Sequence, residues 1–125
     1  MDNQTSIIKL NELKGLIESK KDYILVDVRN KDELQNGMIP TASNVPLPEI
    51  EHALDISRDE FEEKFKFPKF EKDDNLIFYC RTGRRSEKAT NIAISKGFTK
   101  SKNYAGSIWE WSEHDSNVKR YGPSP

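Results

Sequence analysis

Two short runs constrain the fold of this chain more than any other feature. Residues 23–28 read YILVDV and residues 75–80 read NLIFYC, each a strand's length of mainly apolar, β-branched and aromatic side chains. A strand without polar alternation must be covered on both faces, which is the condition inside a parallel sheet flanked by helices. The intervening stretches carry helix signals. Asn11 is placed to cap a helix on which Leu13, Leu16 and Ile17 share a face. A short helix through Glu33 and Leu34 stops at Gly37. Ser57-Arg58-Asp59-Glu60 has the form of a capping box, with Phe61 and Phe65 following on one side and Pro68 closing the region. Residues 86–96 place Ala89, Ile92 and Ala93 inward, with Gly97 as the stop and Phe98 in contact just past it.

Residues 6–10, 44–47 and 102–104 are further short strand candidates, and 107–114 is a last helix. Residues 39–48, with Pro40, Pro46 and Pro48, read mostly as loop. Strands alternating with helices at this spacing predict an α/β domain with a mainly parallel central sheet. A length of 125 residues suits one domain, 1–125, with its core over about 7–115 and residues 116–125 as a loose tail.

Composition excludes several classes. With 34% hydrophobic and 33% charged residues, the chain reads as a small domain with a heavily charged surface. A formal net charge of -1 offers no general field for nucleic acid or an anionic membrane, so neither is expected as a partner. No run approaches the roughly 20 apolar residues of a membrane span. Cys80 is the only cysteine, so no internal disulfide can form and a reducing compartment is expected. The opening MDNQTSIIKL has neither a signal-peptide core nor an Arg-rich presequence. The cytoplasm is therefore the expected location, or the mitochondrion if a presequence has been removed. His52 and His114 are isolated, no cluster has metal-site spacing, and no metal or cofactor is expected. Oligomeric state has no signature in the sequence.

The chemistry concentrates in one loop. Ligand sites in open parallel sheets lie beyond the carboxyl ends of the strands, and Cys80 ends a buried strand. Cys80-Arg81-Thr82-Gly83-Arg84-Arg85-Ser86 then leads into a helix. Such a turn can aim successive N–H groups at one point, and the helix start adds free amides and the positive end of its dipole. Gly83 removes a side chain where the backbone bends tightly. Arg81, Arg84 and Arg85 add positive charge. A Cys80 thiolate is favoured here, with a pKa below the free value of about 8.5. A lone cysteine at a strand end is more often a small buried hydrophobe. The conjunction of strand end, cysteine, glycine, arginines and helix start favours a reactive thiol.

The loop resembles the C-x-x-G-x-R-[SA] active-site loop of rhodanese-like domains. Upstream, Val26-Asp27-Val28-Arg29 with Glu33, and then Gly37-Met38-Ile39-Pro40-Thr41-Ala42-Ser43-Asn44-Val45-Pro46, resemble that family's D-V-R-x-x-x-E and G-H-I-P-G-A-x-N-[IV]-P signatures. Tyr104-Ala105-Gly106-Ser107 with Trp111 resembles its Gly-Gly then Trp segment. His52-Ala53-Leu54-Asp55, Glu60-Phe61 and Phe67-Pro68 further resemble the small eukaryotic thiosulfate sulfurtransferases. Met38, Thr41 and Ser107 stand where many members have His, Gly and Gly, departures that bear on loop packing rather than on the cysteine loop.

The resemblance implies a single rhodanese-like domain and a sulfurtransferase that needs no metal or cofactor. Cys80 is then the nucleophile and persulfide carrier. Thiosulfate is the donor, sulfite the product, and cyanide, glutathione or a protein thiol the acceptor, in a ping-pong sequence. Arg81, Thr82, Gly83, Arg84, Arg85 and Ser86 form the binding loop, their amides serving the thiolate and the terminal persulfide sulfur. Arg81 and Arg84 are placed to hold sulfonate oxygens; Arg85 can do the same or turn inward to Asp27 or Glu33. Asp27, Arg29 and Glu33 are supporting residues. Without a second cysteine, the sulfur must leave to an external acceptor.

Two other readings stay open. One is a cysteine-loop phosphatase or arsenate reductase. Those loops have five residues between Cys and Arg, whereas four separate Cys80 from Arg85, and Tyr79 stands where they carry His. The other is a non-catalytic binding module, against which the retained cysteine argues.

Overall fold

The computed structural model describes residues 6–124. Residues 1–5 and Pro125, the last residue of the expected tail, lie outside them. Both apolar runs form strands and pair with each other. β1 is Ile7–Ile8, β2 Ile24–Asp27, β3 Ser43–Asn44, β4 Leu76–Tyr79 and β5 Lys102–Tyr104. They make one sheet in the order β1-β5-β4-β2-β3. Every pairing is parallel, with Val26 opposite Phe78 at the centre.

Strand periodicity divides the core into two halves. Val26, Val28, Leu76, Phe78 and Cys80 face one side, covered by α2 (Leu47–Asp55), α3 (Arg58–Phe65) and α4 (Arg84–Ser95). Leu25, Ile77 and Tyr79 face the other, where Leu13 of α1 (Leu10–Ser19) and Ile108 and Trp111 of α5 (Ser107–Trp111) cover them. Among the described residues no helix is long and apolar enough to cross a membrane.

Several boundaries differ from expectation for local reasons. α1 starts at Leu10 because the Glu12 carboxylate accepts the Lys9 N–H at 3.3 Å, which puts Asn11 inside the first turn rather than at its cap. Glu33 and Leu34 lie in a 3-10 helix, Lys31–Asn36, ending at Gly37 with φ 100°. The stretch 39–48, expected mostly as loop, runs into α2 at Leu47. Pro46 caps it and Pro48 sits in its first turn, where a missing N–H removes no helical bond, and Ile50, Ala53 and Leu54 turn inward. The residues 44–47 taken for a strand are shared between the end of β3 and the start of α2.

α3 starts after Ser57, whose Oγ accepts the Glu60 N–H at 3.2 Å. Its Phe61 is fully buried, with the rings of Phe65, Phe67 and Phe70 at 4.8, 5.1 and 5.1 Å. α4 begins at Arg84, two residues earlier than expected, so Arg84 and Arg85 belong to its first turn.

The tail expected to be loose is mostly exposed but is held at several points. Val118 is 3% exposed, the Lys119 N–H donates to the Asn36 carbonyl at 2.8 Å, and the Asn117 carbonyl lies 2.5 Å from where a Cβ on Gly37 would be. Arg81 Nη1 reaches the carbonyls of Tyr121 and Pro123 at 3.0 and 2.8 Å. Val118 and Tyr121 give this segment enough apolar surface to dock, which its polar composition masks.

Phe61→Ala empties the centre of the aromatic cluster. We expect it to lower unfolding free energy by about 3–5 kcal/mol in urea titrations, while alkylation of Cys80 in the folded protein stays as in the wild type.

Candidate active site

Cys80 follows β4 at the carboxyl edge of the sheet and is 1% exposed. Two neighbours fix its backbone. Its N–H donates to Ser107 Oγ at 3.1 Å, and that hydroxyl donates onward to the Tyr104 carbonyl at 2.8 Å. Its carbonyl accepts the Ile108 N–H at 3.1 Å. Ser107 holds a positive φ of 53°, the conformation that a second glycine would adopt more readily. Its hydroxyl, bonded at both ends, compensates for that strain. Thr41, another departure, has φ 74° and shares a 2.8 Å hydrogen bond with Tyr23 Oη.

The Cys80 side chain lies at the focus of the loop. The Gly83 N–H donates to Sγ at 3.0 Å and Ser86 Oγ lies 3.5 Å from it. Burial works against a thiolate here. The Ser86 hydroxyl and the N–H groups of Ser86, Gly83 and Thr82 outweigh it, so the thiol titrates below its ordinary value. Of the loop's amides, those of Thr82, Gly83 and Ser86 serve the sulfur. Gly83 caps α4 with φ 98°, and a Cβ there would lie 2.4 Å from the Ala105 carbonyl oxygen. Its own carbonyl accepts the Glu87 N–H at 3.1 Å and Asn103 Nδ2 at 3.3 Å.

The three loop arginines diverge. Arg85 turns to Glu33 in a two-pronged ion pair, Nη1 to Oε1 at 2.6 Å and Nη2 to Oε2 at 2.9 Å. That bond and the Glu33 charge raise its pKa, with a smaller pull from Cys80. Arg81 lies between the rings of Trp109 and Tyr121, at 5.6 and 5.8 Å from their centroids, besides its bonds to the tail. Arg84 is exposed and makes no ion pair or hydrogen bond among the described residues.

Behind the loop lies a buried polar chain. Arg29 and Asp27 are both 0% exposed and meet at 2.6 Å between Nη2 and Oδ2, with Nε 3.0 Å from each carboxylate oxygen. Arg29 also donates to the Gly37 and Glu33 carbonyls and to Tyr121 Oη, at 2.8, 3.3 and 3.1 Å. Tyr121 Oη donates to Glu33 Oε2 at 2.9 Å, and Glu33 Oε1 accepts the Asn30 N–H at 2.9 Å. Burial alone would raise the Glu33 pKa. Arg85, the Asn30 N–H and Tyr121 bring it down instead, from the usual 4.5 to about 2.

All ten residues singled out from the sequence therefore lie in this loop or in the polar chain behind it. Sequence reasoning missed Ser107 as a bonding partner, Tyr121 and Asn103. A tyrosine and a valine in an otherwise polar tail are the one signal that pointed to Tyr121. Among the described residues no three His, Cys, Asp or Glu side chains form a metal-binding group.

Comparison with known proteins agrees with this geometry. The family model described as "Rhodanese-like domain" matches residues 9–114. The chain is 43% identical over 114 residues to the mouse "Thiosulfate sulfurtransferase/rhodanese-like domain-containing protein 3", covering 90% of this chain and 72% of that one. It is 40% identical over 111 residues to the human "Thiosulfate:glutathione sulfurtransferase", covering 87% and 95%. Its structure superimposes on that of the human single-domain sulfurtransferase TSTD1 with a TM-score of 0.84 at 36% identity, over 90% of this chain and 99% of that one.

A carboxylate with a depressed pKa stabilises the fold fully above its unfolded value and loses that contribution as pH falls through its folded value. Glu33 should therefore contribute in full above pH 4.5 and nothing below about 2. Glu33→Gln is expected to cost about 1.5–3 kcal/mol at neutral pH, the range for hydrogen bonds to a charged group. Urea titrations at a series of pH values should show that gap closing between those limits. A gap independent of pH would remove Glu33 from the acid response.

Proposed function

The chain belongs to the rhodanese-like domain family, and on that premise we propose how its residues carry sulfur. It is a thiosulfate sulfurtransferase of the rhodanese type. The observation that carries the mechanism is the convergence of the Gly83 N–H and Ser86 Oγ on Cys80 Sγ, at 3.0 and 3.5 Å.

The Cys80 thiolate attacks the outer sulfur of thiosulfate. A Cys80–sulfur bond forms, the bond to the sulfonate sulfur breaks, and its electron pair leaves with sulfite. The persulfide keeps one negative charge on its terminal sulfur, and sulfite takes two. In the second half, an acceptor thiolate attacks that terminal sulfur, leaves as a persulfide and restores the Cys80 thiolate. No general base is needed, because the nucleophile is already ionised. Fixed amides suit both halves, since the negative charge stays on sulfur and moves by about one bond.

The first half brings a dianion to an anion. Arg85 is neutralised by Glu33, so its role in this reading is to hold the first turn of α4. Arg81 keeps its charge but has Nη1 committed to the tail carbonyls. Arg84, exposed and unpaired, is the proposed binder of the sulfonate oxygens. Asp27, Arg29 and Glu33 are proposed as supports, and Thr82 and Ser86 as donors to sulfur. Glutathione, cyanide and protein thiols are the proposed acceptors. Comparing sulfite release from thiosulfate with each of them separates these. The cytosol or the mitochondrial matrix is the proposed setting, because a lone thiol that must turn over has to stay reduced.

Cys80→Ser should abolish sulfite release while leaving the fold intact by circular dichroism. Mass spectrometry of the wild type after thiosulfate treatment should find one added sulfur atom on Cys80. Appreciable turnover by the serine variant would remove Cys80 from the reaction.

Arg84→Ala should raise the KM for thiosulfate roughly threefold to fivefold, the scale of a part-exposed charge contact. The pH dependence of alkylation should stay near that of the wild type, because buried amides set the thiolate. Unchanged kinetics would make Arg84 a solvated bystander.

A further inference from the structure

Asn103 is a polar side chain where the sheet calls for an apolar one. It sits in β5 opposite Phe78, on the α4 side, and is 2% exposed. Nδ2 donates to the Gly83 carbonyl at 3.3 Å, while Oδ1 is buried with no hydrogen-bond partner among the described residues. An orphaned amide oxygen costs more than one neutral hydrogen bond returns. On stability alone, an apolar side chain of similar size would serve better here.

What Asn103 holds explains the exchange. Gly83 donates its N–H to Sγ at 3.0 Å from a φ of 98° and with no side chain to anchor it. β5 and the residues just after it clamp the loop at three alternating positions. Ser107 Oγ takes the Cys80 N–H, the Ala105 carbonyl fills the space where a Gly83 Cβ would lie, and Asn103 takes the Gly83 carbonyl. The Glu87 N–H shares that carbonyl but belongs to the same helix and would move with it.

We propose that Asn103 is a positioning residue of the sulfur cradle, its Nδ2 pinning the Gly83 carbonyl so that the Gly83 N–H stays aimed at the sulfur on Cys80. The inference rests on the reading of Cys80 as the sulfur carrier. Asn103 does not touch the reacting atoms. It acts through the orientation of one peptide, in both halves of the transfer.

Asn103→Leu and Asn103→Ala both remove the donor but differ in packing. Leucine fills the site and removes the orphaned oxygen, so it should keep or raise the melting temperature. Alanine leaves a cavity and should lower it. If Asn103 positions the cradle, both variants raise the inflection of Cys80 alkylation by iodoacetamide by a similar amount. About one pH unit is expected, seen as roughly tenfold slower alkylation well below the inflection. Turnover of thiosulfate should fall about tenfold in kcat with KM little changed, since Arg84 is untouched.

An inflection that is normal in the leucine variant and raised only in the alanine variant would follow stability and overturn the proposal. So would a depressed inflection common to all three proteins, which would leave the cradle itself standing. A wild-type inflection at the free-thiol value would overturn the cradle, and the role of Asn103 with it.

Discussion

Arg29 is a cation with no exposed surface, and much of the site is built outward from the way it is satisfied. Asp27, at the end of β2, neutralises it. The carbonyls of Glu33 and Gly37 and the hydroxyl of Tyr121 take its remaining donors. A buried ion pair of this kind gives little net stability compared with apolar packing, but removing one partner strands a charge at a cost of about 3–5 kcal/mol. Its effect is directional. The Arg29 and Asp27 carbonyls both accept Asn44 Nδ2 at 2.9 Å, so the same short segment also fixes β3. From Arg29 the bonds continue through Tyr121 to Glu33 and on to Arg85 in the first turn of α4. The loop that holds the sulfur is thereby referenced to the centre of the sheet.

This arrangement divides electrostatic labour among neighbours in the sequence. The thiolate is served by amides and a hydroxyl that are short-range, buried and fixed in direction. The arginines, which dominate the loop by composition, are mostly spent on architecture: one in a carboxylate pair, one between two rings and the tail. Only Arg84 faces solvent unpaired. Screening by salt acts on exposed charge and hardly at all on buried donors. Added salt should then weaken the capture of an anionic donor more than the acidity of the thiol.

What was legible in the sequence was what is contiguous. The β4 run, the cysteine, the glycine and the start of a helix lie within a dozen residues, so their geometry follows from local rules. The parallel sheet was legible because runs like 23–28 and 75–80 admit no solvent-facing side. α2 was not legible, because three prolines within nine residues signal loop unless two of them fall at a cap and a first turn. The partners of Arg81, Tyr121 and Asn103 were not legible either. Each lies 20 or more positions from its contact, and nothing local in KNY or KRYGP states what it will meet. Choosing Glu33 over Asp27 as the partner of Arg85 likewise required knowing that Arg29 already occupies Asp27.

The sheet joins the first strand to the last, with Ile7 opposite Asn103 and Ile8 opposite Tyr104. During synthesis, β1 therefore waits without its partner until β5 has emerged. Tyr121 and the Arg81 contact with Pro123 come later still. A nascent chain stalled before β5 would lack the clamp on the Cys80 loop, and its thiol would be more like a free cysteine. The order of emergence thus delays assembly of the sulfur site until β5 and the residues that follow it have been made.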